Sequence, residues 1–205
     1  MKTINEYLDT YIEDKVLNEG LMSWFNSFLK KVHNNYLKRK RTGNIEKFKT
    51  DEETIKYSKK PIHLTEIDNK TVELFNNKED GFINTYNFIK KPKKYGYPDL
   101  NNLYLYQFFY KNENPYNIGT LIYDAKSSFK DNYKHIAIIE LNQLVENEND
   151  TLKFILKSFK DELKTKEKNI EGFTAMVVYP DFKKTLNILG FKPMEDNDKI
   201  YSVEA

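Results

Sequence analysis

The segment LYLYQFFY, Leu103 to Tyr110, is followed by Lys111-Asn112-Glu113-Asn114-Pro115 and then by YNIGTLIYD, Tyr116 to Asp124. Two runs rich in aromatic and β-branched residues, joined by a short polar turn containing proline, predict a β-hairpin. A hairpin alone is marginal in water, so more strands and a helical layer have to follow. HIAIIELNQLV, His135 to Val145, supplies an apolar run suited to a buried strand, and GFTAMVV, Gly172 to Val178, supplies another. Between them, Leu152, Ile155, Leu156, Phe159 and Leu163 recur at helical spacing, with Asn149 or Asp150 as the expected cap. After the second buried run, Asp181 to Leu189 predicts a helix with Gly190 at its C′ position. Phe191 to Met194 and Lys199 to Val203 then predict two short strands around Asp196-Asn197-Asp198.

Upstream, Pro61 opens the unit and Ile62 to Ile67 alternates in strand fashion. Asp68 is placed to cap a helix carrying Val72, Leu74 and Phe75. Asp80-Gly81 breaks that helix, and Phe82, Tyr86 and Ile89 predict a second one. Lys90 to Pro98, with two prolines, one glycine and four lysines, predicts a loop. The order β-α-α-β-β-β-α-β-α-β-β over about residues 58–205 implies an α+β fold, a mixed sheet flanked by helices.

That order, together with a helix running into Leu189-Gly190-Phe191 before the last hairpin, resembles the GNAT superfamily of acyltransferases. The resemblance implies a binding site for the pyrophosphate of acetyl-CoA at the start of the long helix. There the family carries Arg or Gln, two residues, Gly, one residue, and Gly or Ala, so that bare backbone amides approach the phosphates. The pattern falls on Asp150, Lys153 and Ile155, and none of them matches. Glu146, Glu148 and Asp150 instead put negative charge where phosphates would lie. The tyrosine that the family places four residues before Gly-Phe, to protonate the leaving thiolate, is Leu186 here. Glu140 on the central strand is the candidate general base, acting directly or through a water, and Tyr179 is the remaining candidate acid. Either residue reads equally as structure, Glu140 as a polar group at a strand edge and Tyr179, like Tyr123 and His135, as aromatic packing. The expectation is an erased donor site with no cofactor, or acetyl-CoA if the chain is a working N-acyltransferase.

Residues 1 to 57 read differently. Ile4, Leu8, Tyr11, Ile12 and Val16 form the apolar stripe of a short acidic helix that opens with Thr3 and Glu6 as a capping box. After Gly20, residues Leu21, Trp24, Phe25, Phe28, Leu29, Val32 and Tyr36 line a second helix, which runs into Lys38-Arg39-Lys40-Arg41 and stops near Thr42-Gly43. Residues 1–19 carry Lys2 and Lys15 against Glu6, Asp9, Glu13, Asp14 and Glu19, a net of −3. With a net charge of +2 for the chain, the remainder carries +5.

One interpretation makes Gly20 the C′ residue of a helical hairpin, and another lays the second helix on a membrane interface. A third comes from resemblance. The opening MKTINEYLDTYIEDKVLNEG resembles the capsid-targeting peptides of internal head proteins in large tailed bacteriophages. Those end at a prohead-protease site of Leu or Ile, any residue, Glu and a small residue, matched here by Leu17-Asn18-Glu19-Gly20. The resemblance implies cleavage after Glu19 and residence in the virion interior, with the host cytoplasm as the place of synthesis or delivery. Its implied partners are head scaffold or capsid proteins, the prohead protease and packaged DNA, the last through the basic arm. The chain then divides into a cleavable helix at 1–19, a basic helical arm at 20–57 and a GNAT-like domain at 58–205.

The remaining alternative is a protein-binding module anchored by Trp24 and Phe25. Composition removes other classes. There is no cysteine for a disulfide, thiolate metal site or nucleophile. His33, His63 and His135 lie too far apart in sequence to support a metal site, and no apolar run is long enough to span a membrane.

Overall fold

In a computed structural model of the chain, the described residues are 26–32, 34–35, 55–57, 61–76, 82–110, 117–126, 129–142, 145, 147–166 and 169–204. The cleavage motif Leu17, Glu19 and Gly20, the anchors Trp24 and Phe25, the basic run Lys38 to Arg41, and Glu146 all lie outside them.

Among the described residues, eight strands form one mixed sheet. They are β1 (Ile55–Tyr57), β2 (Ile62–His63), β3 (Leu103–Tyr110), β4 (Asn117–Asp124), β5 (Tyr133–Leu141), β6 (Gly172–Met176), β7 (Lys192–Met194) and β8 (Asn197–Glu204). The spatial order is β1-β3-β4-β5-β6-β8-β7, with β2 also paired to β3. Among these eight strands, β5 and β6 run parallel and the other pairs are antiparallel. Helices α1 (Asn69–Val72), α2 (Ile83–Lys90), α3 (Glu148–Lys166) and α4 (Pro180–Ile188) flank the sheet. This is the α+β, helix-flanked mixed sheet expected from the sequence.

The elements form where the side chains demand them. The expected hairpin is β3 and β4, paired from Leu103↔Asp124 through Phe109↔Asn117. Leu105, Tyr106, Phe108, Leu121 and Ile122 are all fully buried, which fits strands covered on both faces. Phe159 of α3 packs on one face, with its ring centroid 5.2 Å from Tyr106 and 5.5 Å from Phe173. On the other face Thr85 of α2 lies against Thr120 of β4. At Gly119 the backbone of β4 comes so close to Ile155 of α3 that an added Cβ would sit 2.6 Å from the Ile155 Cδ1.

Several expectations change; the helix expected over Val72, Leu74 and Phe75 is α only to Val72, and Glu73–Asn76 continues it as a 3₁₀ turn. Ile62 to Ile67 is a strand only at Ile62–His63, and Leu64–Glu66 is a 3₁₀ turn. The His63 ring accepts from Thr65 N, ending the extended run early. The long helix begins at Glu148, one turn of which is tied back when Thr151 N and Oγ1 both donate to the Asn147 carbonyl, each at 2.9 Å. Asn149 and Asp150 therefore lie inside the first turn and are not its cap. The buried strand expected at His135 to Val145 is β5, which begins at Tyr133 and ends at Leu141.

The predicted Asp68 cap is present, with Oδ1 accepting from Thr71 N at 2.6 Å. Gly190 stands at φ 80, the left-handed region that glycine occupies without a Cβ penalty, and the Phe191 amide donates back to Leu186 O at 3.0 Å.

Residues 55–57, which the sequence assigns to the N-terminal arm, pair as β1 with Phe108 to Tyr110. Residues 26–32 are helical, and Phe28, Leu29 and Val32 are buried in the core, with the Phe28 ring 4.9 Å from Phe109. Lys30 pairs with Asp68 at 3.3 Å. The described part of the arm thus packs on the sheet.

Candidate functional site

Strands β5 and β6 are paired only from Tyr133↔Gly172 to Ile136↔Ala175. Beyond that point they part. The next residue of β5, Ala137, is the extra residue of a bulge, since Ile122 faces Ile138 while Tyr123 faces Ile136. The parted end opens a cleft of about 280 Å³ lined by Ile139, Glu140, Leu141 and Asn142 of β5 and its exit, and by residues from three helices. Asn84 comes from α2, Glu148 and Leu152 from α3, and Asp181 and Thr185 from α4, with Tyr179 just before α4.

The start of α2 explains Glu140. The residue before the helix is Phe82, which has no side chain able to cap it. The first amides of a helix need acceptors, and Glu140 supplies them from a strand 55 residues away. Its Oε1 accepts from Asn84 N at 2.9 Å, and its Oε2 accepts from Thr85 N and Thr85 Oγ1, both at 2.7 Å. Thr85 Oγ1 also lies 2.8 Å from Thr120 Oγ1, which ties β4, β5 and α2 together. Burial pushes the Glu140 carboxyl up to about 7, against the pull of these hydrogen bonds. The carboxylate has about four lone-pair positions, and three of them are used in holding the helix.

The other two helices carry their own acids. Glu148 and Asp150 are in the first turn of α3, and Glu148 reaches across to Lys184 of α4 at 3.6 Å, both side chains being exposed. Asp181 is in the first turn of α4, after Pro180 at its start. Each helix start facing the cleft therefore meets the positive end of its dipole with a carboxylate of this chain.

Tyr179 and Glu140, the two candidate catalytic groups, do line one cleft. Tyr179 stacks on Phe182 with ring centroids 5.4 Å apart. Burial holds its phenol well above its ordinary value, and the nearby Glu140, Tyr95 and Asp181 push the same way. The residues on which a donor motif would fall are scattered: Asp150 and Lys153 are exposed, while Ile155 is fully buried against the sheet. Leu186 is also fully buried, in core rather than cleft. His135 is buried beneath the paired end, with Nδ1 3.1 Å from Thr174 Oγ1, and burial lowers its pKa to about 4. Tyr123 packs between Tyr104 and Phe159. Sequence reasoning passed over Asn84, Thr85, Asp181 and Thr185; the missing local cap at Phe82 was the available sign that a distant acceptor serves α2.

Among the described residues, no group of three histidine, aspartate or glutamate side chains could hold a metal ion, and no helix is long and apolar enough to cross a membrane.

No family model and no curated protein matches the chain. Solved structures similar to it include the KacTA–DNA complex, at 14% identity and TM-score 0.43, covering 59% of this chain and 79% of that one. AtaTR bound with AcCoA is 10% identical, with TM-score 0.48, covering 74% and 94%. The ribosomal-protein-S5-alanine acetyltransferase from Vibrio fischeri is 12% identical, with TM-score 0.38, covering 87% of each chain.

Proposed function

We propose that this chain is a bacteriophage virion protein of the internal head class, whose GNAT-like domain no longer handles an acyl-coenzyme A donor. The observation that carries the second half is the charge of the cleft. Glu140, Glu148 and Asp181 all line it, and each sits at a helix start that would otherwise be available to an anion. A coenzyme pyrophosphate would have to displace or face these carboxylates. Glu140 is engaged in capping α2, which ties up the carboxylate that would take a proton from an amine. The targeting half rests on Leu17-Asn18-Glu19-Gly20 directly after an acidic amphipathic segment.

Two measurements test the two halves separately. Mass spectrometry of the chain from mature particles should show a first residue of Gly20; a chain starting at Met1 contradicts targeting. Incubation with acetyl-CoA and a panel of primary amines should release no thiol above the protein-free rate.

A working N-acyltransferase is the second reading, and it draws on one observation. A carboxyl held at about 7 suits a general base. Thiol release that disappears in Glu140→Gln, with the fold retained, would establish it.

A further inference from the structure

Between Asp80 and Asp99 the chain carries no acid, and its lysines there are gathered in Lys90-Lys91-Pro92-Lys93-Lys94. The segment leaves the C-terminal end of α2 and folds as a 3₁₀ turn, Pro92–Tyr95. Backbone bonds close it: Lys94 N donates to Lys91 O at 3.0 Å, and Gly96 N to Lys93 O and Tyr97 N to Pro92 O, both at 3.2 Å. Gly96 stands at φ 86, and an added Cβ there would sit 3.0 Å from the Met176 Cε. The rings of Tyr95 and Tyr97 pack inward on Phe88, with centroids 5.2 and 5.3 Å from it, and Tyr95 is buried. The turn is clamped at its base and shows its lysines to solvent.

The lysines do not share one explanation. Lys90 pairs with Glu73 at 2.9 Å, and in the last turn of α2 it also suits the helix dipole. Lys91, Lys93 and Lys94 are exposed, and no ion pair joins them to a carboxylate among the described residues. Asp99, the next acid along the chain, accepts from Asn101 N at 2.8 Å. Three like charges are thus held in one closed turn without a counter-charge from the fold.

We propose that the Lys91–Lys94 turn is a contact site for the phosphate backbone of duplex DNA, bound without reading sequence. A duplex carries a charge for about every 1.7 Å of its axis, so ammonium groups on a turn that rises about 2 Å per residue meet neighbouring phosphates and release their counterions. The tyrosines set other polyanions aside. With both rings spent on Phe88, the turn offers no aromatic face to stack on unpaired bases and none to insert at a lipid interface. Lysine in place of arginine gives point charges, not the bidentate fork that reads guanine. The site deepens the packaging reading by naming a place on the GNAT-like domain that meets DNA, and it rests on that reading only for the presence of DNA.

The test is fluorescence anisotropy with the full chain and a labelled duplex of about 20 base pairs and arbitrary sequence, across about 50 to 200 mM salt. The variant K91Q/K93Q/K94Q, which keeps Lys90 for Glu73, should retain the parent's circular dichroism and unfolding midpoint. Its plot of log affinity against log salt should be shallower than the parent's by about 2.7, from about 0.9 per phosphate contact. K93Q/K94Q, which leaves the end of α2 untouched, should be shallower by about 1.8. The proposal is overturned if both variants bind with the parent's slope and affinity, or if the parent does not bind duplex. It is also overturned if a single strand of the same length binds more tightly than the duplex, or if polyglutamate of equal charge competes as well as unlabelled duplex. The packaging reading fails separately: a virion chain that begins at Met1 contradicts it, while the change in slope still decides whether the turn grips DNA.

Discussion

Helices α2 and α3 begin at the same cleft, and both satisfy their positive ends with carboxylates, but the carboxylates come from different places. For α2 the acid is Glu140, brought from β5 and buried. For α3 the acids are Glu148 and Asp150, which belong to the helix itself and stand in solvent. The first arrangement fixes the architecture, because Glu140 joins β5 to α2 and its partner Thr85 reaches on to Thr120 of β4. The second contributes little to stability, because exposed charges are screened, yet it sets the potential that a ligand meets. One acid thus helps hold the fold, while the others set the charge at the mouth of the cleft.

The contrast predicts unequal costs. Glu140→Ala leaves the Asn84 and Thr85 amides without their acceptor and the Thr85 hydroxyl with only Thr120, and should lower stability by about 3 kcal/mol in urea unfolding. A loss under about 1 kcal/mol would mean that water replaces Glu140 freely and that α2 does not depend on it.

The pH profile sharpens the same difference. Glu140 is held at about 7 in the folded chain against an ordinary 4.5, so the folded state binds a proton that the unfolded state releases. Its contribution is full below pH 4.5 and is lost as pH rises to 7, with a slope of about −1.4 kcal/mol per pH unit. His135 is held at about 4 against 6.5, and its contribution is full above 6.5 and is lost as pH falls to 4. Between pH 4.5 and 6.5 the two slopes oppose and cancel. Glu140→Gln should therefore leave stability rising with pH by about 1.4 kcal/mol per unit more than the parent across that window, and His135→Gln should tilt it the other way. Parallel profiles for parent and Glu140→Gln would show that Glu140 titrates as an ordinary carboxyl.

Glu148→Gln should have the smallest effect. It removes an exposed pair with Lys184 and one charge at the start of α3, and thermal unfolding should register about 0.5 kcal/mol or less.

Much of the fold was readable because it is local. Leu103 to Tyr110 is a strand on side-chain character alone, and the helix ending at Gly190 announces itself by its C′ glycine. β1 was missed because Ile55–Tyr57 is three residues long and takes its place from the edge of β3, not from any pattern of its own. The α3 cap was misplaced because Asn147 acts through its backbone carbonyl, which every residue has. At the site, the acidic start of α3 was legible, since Glu148 and Asp150 are adjacent to the helix they affect. The engagement of Glu140 was not, because its partners Asn84 and Thr85 lie more than fifty residues earlier.

Every described helix start around this cleft already holds an acid of the chain. Calorimetric titration of coenzyme A into the purified protein, at about 150 mM salt, tests it most directly. The parent should give no saturable heat, and a variant in which Glu148, Asp150 and Asp181 are replaced by their amides should give weak heat. Saturable binding to the parent, no weaker than to that variant, would contradict it.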